Sequence, residues 1–284
     1  MDKANLSVDT RAHDGLVAHR GWDFNVLSSH GVDPGRVATF ANRAASAHVF
    51  LSSLLQYSPD FALLVLGSDD WLKRSSHPLY GMPNYAHGNL IVAATTNPFW
   101  ISFLEMINEG VPMRMPAIAA VYGVPGSRID LTSFFDLLTV HELGHAFFSH
   151  GPSRLPRRWL DELACNLGLH NYVTAQEPDA LPALTTFPSA VGACSPPHGG
   201  DRSLADFDAH YDDLDPLTYG WYQCRLHVGA AMVHDAAGIS TTRRLWDAFA
   251  SPNAADGDDR VSDADLVSSL DTIHPVFGDI VRRW

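Results

Sequence analysis

The chain has 284 residues, a formal net charge of -13, 46% hydrophobic residues and 18% charged residues. This length suffices for a large core, and the composition is that of a globular protein rather than a disordered or fibrous one. Binding of nucleic acid needs clustered Lys and Arg, whereas the basic residues here are scattered, so no nucleic-acid partner is expected. The three cysteines show no Cys-x-x-Cys spacing and cannot all pair within the chain, so we expect reduced thiols.

The N-terminal residues contain no basic segment followed by an apolar segment. No later apolar run approaches the length of a membrane span. We therefore expect a cytoplasmic protein without a membrane partner. The sequence leaves the oligomeric state open.

The first third of the chain predicts one helix and two extended segments. Apolar residues recur at helical spacing over residues 35–57, and a short apolar run at 61–66 favours a buried strand. A second extended segment covers residues 80–95. Pro83 indicates an edge strand or a bulge at its start, and residues 89–95 form the strand proper. An edge strand beside an active cleft could pair with an extended peptide.

The middle of the chain predicts a central helix after an irregular stretch. Residues 97–109 favour a helix, whereas the prolines of residues 111–128 favour a loop with a short strand. Asp130 or Thr132 then caps a helix that ends near Phe148.

The remainder is mainly helical by pattern. A second helix is predicted over residues 157–173, after a short connection. Residues 178–200 are rich in Pro, Gly, Ser and Thr, which predicts a long surface loop or a crossing between two lobes. The other predicted helices cover residues 217–237, 241–249, 263–270 and 275–284, with a polar turn at residues 253–259.

These elements predict an α+β fold. We expect a small mixed sheet with an edge strand over an active-site helix, followed by a mostly helical C-terminal lobe. Residues 1–284 would form a single catalytic unit, with an α/β lobe in residues 1–175 and a helical lobe in residues 200–284.

The central predicted helix contains His141, Glu142 and His145 in the order His-Glu-x-x-His. Residues four apart lie ~40° apart around a helix axis and one turn apart along it, so the two imidazoles can converge on one ion. Glu142 projects beside them, where it can take a proton from a metal-bound water without being a ligand. The flanking residues are apolar, and a buried cluster of this kind needs a partner such as a metal ion.

Catalytic zinc generally has three protein ligands and one open position. A third ligand at His150 does not fit the longer extension of this motif. Phe148 and Gly151 occupy the positions where that extension needs glycine and histidine.

The next predicted helix offers Asp161 and Glu162 instead. Glu162 is the better ligand candidate, because Asp161 lies about 100° away and nearer the helix start, where it can cap or orient. Asn166, one turn after Glu162, can hydrogen-bond a ligand histidine.

The segments 141–145 (His-Glu-Leu-Gly-His) and 159–162 (Trp-Leu-Asp-Glu) together resemble the gluzincin metallopeptidases. They are most similar to the catalytic domain of the aminopeptidase N-like family, and the resemblance covers roughly residues 80–240. It implies a thermolysin-like zincin fold, peptide-bond hydrolysis and Zn²⁺ held by His141, His145 and Glu162.

Residues 81–84 (Gly-Met-Pro-Asn) resemble the family's Gly-x-Met-Glu-Asn strand. This match implies that Gly81, Met82 and Asn84 lie along the substrate cleft. Pro83 stands where the family's aminopeptidases carry the glutamate that binds a free amino group, so aminopeptidase specificity is not implied.

Tyr219 and Tyr222 lie in a segment similar to the one where the family keeps an oxyanion-stabilising tyrosine. The register to Gly238 favours Tyr222, and Tyr219 is the alternative.

We therefore expect zinc-dependent hydrolysis of a peptide or protein substrate. Glu142 would act as general base, and the backbone of the strand at residues 89–95 would position the substrate. The alternatives are a zinc hydrolase of a small amide or ester and a non-enzymatic zinc-binding protein that retains the peptidase fold. The choice between endo- and exo-cleavage stays open.

Overall fold

The computed structural model describes residues 8–126, 128–149, 151, 155–200, 202–249 and 261–284. The predicted polar turn at residues 253–259 and His150 lie outside the described residues. None of the described helices combines the length and the apolar character needed to cross a membrane.

A mixed sheet is built from strands of the N-terminal third. Seven strands are found among the described residues of the whole chain: β1 (Val17–His19), β2 (Asn25–Ser28), β3 (Ala62–Leu66), β4 (Asn84–Ala86), β5 (Asn89–Ala93), β6 (Gly123–Val124) and β7 (Arg128–Ile129). The first five form one sheet in the order β1-β2-β3-β5-β4. Strand β3 pairs in parallel with β2 and β5, while β1 and β4 pair antiparallel at the two edges. Strands β6 and β7 form a separate antiparallel pair.

Helices make up most of the described chain, which confirms the predicted α+β class with a small sheet. The α-helices are α1 (Pro34–Leu55), α2 (Ser68–Arg74), α3 (Ile101–Gly110), α4 (Met115–Tyr122), α5 (Thr132–Phe148), α6 (Arg158–Gln176), α7 (Leu181–Val191), α8 (Leu204–His210), α9 (Pro216–Ala237), α10 (Ser240–Phe249), α11 (Asp263–Ile273) and α12 (Pro275–Arg282). Short 3-10 helices cover Thr10–His13, Pro98–Trp100, Pro112–Arg114, Pro178–Ala180 and Tyr211–Asp213.

Two predictions for proline-rich stretches are wrong. Residues 111–128 contain α4 as well as β6 and β7, and residues 178–200 contain α7 rather than a long loop. Pro116 and Pro182 lie in the first turns of α4 and α7. Proline fits there because the first helical N–H groups have no partner within the helix. Pro116 and Pro182 therefore mark helix starts, whereas Pro188 lies inside α7.

Strand β3 is buried on both faces, and its side chains alternate between two clusters. Leu63 and Val65 belong to the main core, which also contains residues of α1 and α5. Leu64 and Leu66 face the other side, where they pack with Trp71 of α2. This alternation is the period of two that a strand imposes. All three cysteines are free and buried.

The main hydrophobic core draws on elements from both ends of the chain. It contains Val26 of β2, apolar residues of α5 and α6, and Ile280 of α12. The division into an α/β lobe and a helical lobe stays a prediction.

Helix α5 lies in the interior, and ion pairs from α1 fix its position. It packs against α1, α6 and α7 and against strands β4 and β5. Arg36 of α1 forms a two-pronged ion pair with Asp136 of α5, with Arg36 Nη2 2.5 Å from Asp136 Oδ1. Arg43 of α1 donates to the Asp136 carbonyl at 3.2 Å and pairs with Glu177, just after α6, at 2.8 Å. One helix thus aligns both α5 and the end of α6.

Helices α5 and α6 pack closely at Gly144, inside the His-Glu-x-x-His segment. A methyl group at this position would lie 3.1 Å from the Cα, Cβ and Sγ atoms of Cys165 on α6. Optimal carbon–carbon contact is about 3.5–4.0 Å, so a larger residue would push the helices apart. Glycine therefore permits the interhelical distance on which the site depends.

Gly144→Ala should be less stable than Gly168→Ala by about 1–3 kcal/mol, because only the first overpacks the α5–α6 contact. Gly168 lies on α6, and its nearest neighbour would be the flexible end of Leu51 at 3.4 Å. Both substitutions gain the same helix propensity, so the difference isolates the clash. Urea unfolding of the two variants measures it. Equal stabilities would show that α5 and α6 do not need glycine here.

Candidate metal centre

Helix α5 places His141, Glu142 and His145 beside one another. The centroids of the two imidazole rings are 5.1 Å apart, as expected for residues separated by one helical turn. One ligand atom from each of the three residues lies within 4.8 Å of the others, close enough to share a metal ion. His141 and Glu142 are buried, and His145 is nearly so.

Helix α6 adds the carboxylate of Glu162. Its Oε2 atom lies 3.1 Å from His141 Nε2 and 3.7 Å from His145 Nε2. Two ligands of a tetrahedral zinc ion, at bond lengths of about 2.0–2.1 Å, are about 3.3 Å apart. Both observed separations are close to that value. Glu162 thus lies where a third ligand is needed.

The hydrogen bond of His141 to Asn166 determines which imidazole nitrogen carries the proton. His141 Nδ1 lies 2.7 Å from Asn166 Oδ1. The amide nitrogen of Asn166 donates to Gln223 Oε1 at 3.3 Å, so the Asn166 oxygen faces the imidazole and accepts the Nδ1 proton. The lone pair is then on Nε2, the nitrogen that faces Glu162. This is the orientation that a metal-binding histidine requires.

The Glu162 carboxylate has one oxygen atom that no described residue satisfies and that a metal ion would satisfy. Its Oε2 atom is buried and has no hydrogen-bond donor among the described residues, while Tyr211 donates its hydroxyl proton to Oε1. Burial alone would raise the pKa of Glu162. Positive charge on the imidazoles of His145 and His141, together with the Tyr211 hydroxyl, outweighs burial and lowers the pKa of Glu162 to about 2. A buried, ionised oxygen that faces imidazole lone pairs needs a cation between them.

The Nδ1 atom of His145, on the side of the ring away from Glu162, contacts three polar side chains. This atom lies 2.9 Å from Ser149 Oγ, 3.3 Å from Asp161 Oδ2 and 3.4 Å from Cys165 Sγ. Ser149 donates to Asp161 at 2.5 Å, so the carboxylate anchors the group. Asp161 thus lies where it can orient His145, directing Nε2 towards Glu162.

His145, Asp161 and Cys165 are also close enough to share a metal ion. Burial raises the pKa of the Cys165 thiol, which keeps it protonated. A neutral thiol is a poor ligand, since the thiolate is the form that binds metals. These residues therefore fit the role of supporting His145 better than that of a separate metal site.

Glu142 is near both imidazoles but outside the closest contact. Its carboxylate oxygens lie 4.0 Å from His141 Nε2 and 4.0 Å from His145 Nε2, farther than the Glu162 oxygen. Burial raises the pKa of Glu142, although a backbone hydrogen bond from Tyr85 partly offsets this. A carboxylate with a raised pKa beside the ligand set suits proton transfer better than ligation.

Tyr222 points away from the centre. Its ring is fully buried and stacks on Trp284, with centroids 6.0 Å apart. Its hydroxyl donates to the carbonyl of Ser203 at 3.1 Å. The side chains of Tyr219 and Tyr222 are about 60° apart around the helix axis. Both rings contact Phe207, but their hydroxyl groups have different partners.

Tyr219 lies at the centre, in the same cavity wall as His141 and Glu142. Gln223 donates to its hydroxyl oxygen at 2.9 Å. Burial, with the nearby Glu162 carboxylate, raises the pKa of Tyr219 well above its ordinary value, so the hydroxyl stays protonated. The structure therefore favours Tyr219, the alternative, over Tyr222 as a donor to a reacting group.

The predicted cleft segment at residues 81–84 divides into two roles. Met82 and Pro83 line the cavity beside the centre. The side chain of Asn84 instead donates to Ser75 Oγ at 2.7 Å, which ties down the preceding loop. Gly81 has a φ of 87°, a conformation that glycine adopts without strain. Gly81 and Asn84 thus shape the segment, whereas Met82 and Pro83 form the cavity surface.

Strand β4, rather than β5, is the edge strand beside the centre. Residues 89–91 of β5 pair with β4 on one side and with β3 on the other. Residues 89–91 are therefore paired on both sides and cannot present their backbone to a substrate, whereas for residues 92–95 this role stays a prediction. Strand β4 pairs only with β5 among the described strands, and its Tyr85 backbone lies at Glu142.

An apolar cavity of about 60 Å³ adjoins His141, Glu142 and Tyr219. His227 also lines it, and burial lowers the pKa of this histidine well below its ordinary value, so the imidazole is neutral. A space of this size admits several water molecules or a small apolar group. Its apolar walls come mainly from Trp100, Phe103, Phe134, Phe135, Leu138 and Phe187.

Several residues of the centre were not predicted from the sequence. Tyr211 and Ser149 reach the ligands from a 3-10 helix and from the end of α5, and no spacing rule marks such positions. Gln223 and His227 follow Tyr219 by four and eight residues on α9. That spacing places the three side chains along one helix face, and this signal could have identified them.

Comparison of the chain with protein-family models, with curated proteins and with solved structures found no match. The resemblance to gluzincins thus depends on the residues quoted from the sequence. The geometry of the centre supplies a separate argument, because it does not depend on any relative.

Tyr211→Phe should weaken zinc binding by about 10–100-fold, because Glu162 loses the donor that holds its Oε1 atom. Tyr222→Phe is the matched control, since it removes a hydroxyl of the same chemistry that bonds the Ser203 carbonyl. Its zinc affinity should equal that of the wild type. Competition against a chromophoric chelator measures both variants. Wild-type affinity in Tyr211→Phe would contradict the role of Tyr211 in supporting a ligand.

Proposed function

We propose that the chain is a zinc-dependent peptidase with a gluzincin-type centre in a thermolysin-like fold. The observation that carries the proposal is the Glu162 Oε2 atom, which is buried, lacks a donor among the described residues and lies 3.1 Å and 3.7 Å from two imidazole nitrogens. Two imidazoles, one carboxylate and an adjacent Glu142 form the donor set of a catalytic zinc site rather than a structural one.

His141, His145 and Glu162 would hold the ion. Imidazole and carboxylate donors at tetrahedral spacing favour zinc over the hard cations Ca²⁺ and Mg²⁺, which take more oxygen ligands. When bound, zinc supplies a Lewis acid that acidifies water and polarises a carbonyl oxygen.

Glu142 would act as the general base. Its carboxylate would accept a proton from the attacking water and deliver that proton to the leaving amine. Burial, which raises its pKa, suits both steps, because a base that is too weakly basic accepts protons poorly. Its distance of 4.0 Å from each ligand nitrogen leaves room for the water.

Tyr219 would donate a hydrogen bond to the substrate carbonyl oxygen as negative charge develops there. Its raised pKa supports this role, because the hydroxyl keeps its proton at neutral pH. A preorganised donor of this kind in a buried site stabilises the transition state more than the ground state.

The surroundings of the centre suit an extended peptide with an apolar side chain. Strand β4 has an outer edge with which an extended backbone could pair. The apolar cavity beside Glu142 would take one substrate side chain. Pro83 offers no carboxylate for a free amino group, so we do not propose an aminopeptidase.

One observation favours the alternative of a small amide or ester as substrate. The cavity of about 60 Å³ is small, and an acyl or alkyl group would fill it. A peptide library and a panel of small esters and amides, incubated with the same protein, separate the two. Cleavage in the library next to apolar residues would support the peptidase, and turnover confined to the panel would support the alternative. Retention of zinc without any turnover would support a non-enzymatic binding protein.

Glu142→Gln should lower kcat on any cleaved substrate by about 10²–10⁴-fold, because the amide cannot accept the proton. Zinc content by elemental analysis should equal that of the wild type, since Glu142 is not a ligand. Glu109→Gln, the same change on the exposed end of α3, is the control and should keep full activity. Undiminished turnover in Glu142→Gln would refute the proposed mechanism.

Tyr219→Phe should lower kcat by about 10²–10³-fold with little change in KM, because the hydrogen bond forms mainly in the transition state. Tyr222→Phe should leave kcat unchanged, since its hydroxyl bonds the Ser203 carbonyl. Steady-state kinetics on the best library substrate compares the two. The reverse order of effects would reinstate Tyr222 as the oxyanion donor.

A further inference from the structure

A second cluster of metal-binding side chains lies between α6 and α9. It consists of His170 on α6 and of His234 and Asp235 in the last turn of α9. One ligand atom from each residue lies within 4.8 Å of the others. The ring centroids of His170 and His234 are 4.9 Å apart, close to the 5.1 Å between His141 and His145.

His170 is a buried polar side chain that lacks a hydrogen bond. It is 5% exposed, and its ring contacts His234 without a hydrogen bond from either nitrogen to the described residues. Neither imidazole nitrogen is committed to a hydrogen bond with a described residue, so both are open to another ligand, such as a metal ion.

His234 is oriented in the same way as His141. Its Nδ1 atom lies 2.5 Å from Asn171 Oδ1. Asn171 is fully buried and donates its amide to Thr242 Oγ1 at 2.5 Å, so its oxygen faces His234 and accepts the Nδ1 proton. The lone pair of His234 is then on Nε2. In both clusters an asparagine of α6 thus fixes the proton of a histidine on Nδ1, which leaves Nε2 free to bind a metal ion.

Asp235 and the helix end add negative charge to this cluster. The Asp235 carboxylate is exposed, so a metal ion can reach it without displacing packed side chains. The C-terminal end of a helix carries a partial negative charge, and α9 ends two residues later, at Ala237. Both features favour a bound cation.

We propose that His170, His234 and Asp235 bind a second divalent transition-metal ion, which joins α6 to α9. Two imidazoles and one carboxylate suit Zn²⁺ and related ions rather than Ca²⁺ or Mg²⁺. His170 follows Glu162 by eight residues on α6, which is about 12 Å along the axis. Two metals that act on one substrate lie about 3.5–4 Å apart, so this ion is structural rather than co-catalytic. It stabilises the helix pair that carries Glu162 and Tyr219.

The test is a zinc titration of the chelator-treated full chain, followed by calorimetry and by thermal unfolding. Wild type should bind two zinc ions per chain, and His170→Gln/His234→Gln should bind one. His145→Gln should lose zinc binding at the centre that contains His141 and Glu162. It should keep zinc binding at the second cluster. Zinc should raise the Tm of His145→Gln, which keeps the second cluster, and this rise should be lost when His170→Gln and His234→Gln are added to that variant.

Asp235→Asn guards against misfolding of the double variant, because it alters only an exposed side chain. It should weaken the second binding event by 10-fold or more, whereas Asp69→Asn, an exposed aspartate on α2, should leave both events unchanged. Equal zinc content in the wild type and the double variant would overturn the proposal, as would an unaltered second event in Asp235→Asn. None of these readouts uses catalysis, so a failure of the proposed peptidase activity stays distinguishable.

Discussion

The close packing of α5 on α6 at Gly144 is the constraint on which the candidate metal centre depends. A methyl group there would lie 3.1 Å from three atoms of Cys165, so only glycine permits this separation without a shift of either helix. The same approach brings Glu162 of α6 to within 3.1 Å of His141 on α5. Arg36 and Arg43 of α1 reinforce the arrangement from the other side of α5. Ligand geometry is therefore a consequence of helix packing.

The interface between α6 and α9 carries the polar groups that support this centre. On α6 they recur every four residues, as Glu162, Asn166 and His170, and thus share one face of the helix. Asn166 bonds Gln223 of α9, and Gln223 in turn bonds Tyr219. Such a network favours one relative position of the helices, because its buried groups are satisfied only in that position. The proposed second ion would act at the outer part of the same interface.

The structure also explains which sequence predictions were successful. The helix at residues 35–57 corresponds to α1, and the segments at residues 132–148 and 157–173 correspond to α5 and α6, because long amphipathic or buried periodicities specify helices well. The loops predicted at residues 111–128 and 178–200 were wrong, because Pro116 and Pro182 lie in first turns where no N–H is needed and α7 also contains Pro188. Pro83 correctly indicated an edge strand, which is β4 (Asn84–Ala86), because proline is tolerated at the edge of a sheet.

The sequence by itself determined that His141, Glu142 and His145 share one helix face, because helical geometry fixes side chains that are three or four residues apart. It also singled out Glu162 and the supporting positions of Asp161 and Asn166. Only the tertiary structure showed that Tyr219 lines the cavity while the Tyr222 hydroxyl bonds the Ser203 carbonyl, brought Tyr211 to the Glu162 carboxylate and placed β4 beside Glu142. The physical reason is that these contacts join elements distant in the chain, and their distances depend on helix packing and strand order, which no local spacing encodes.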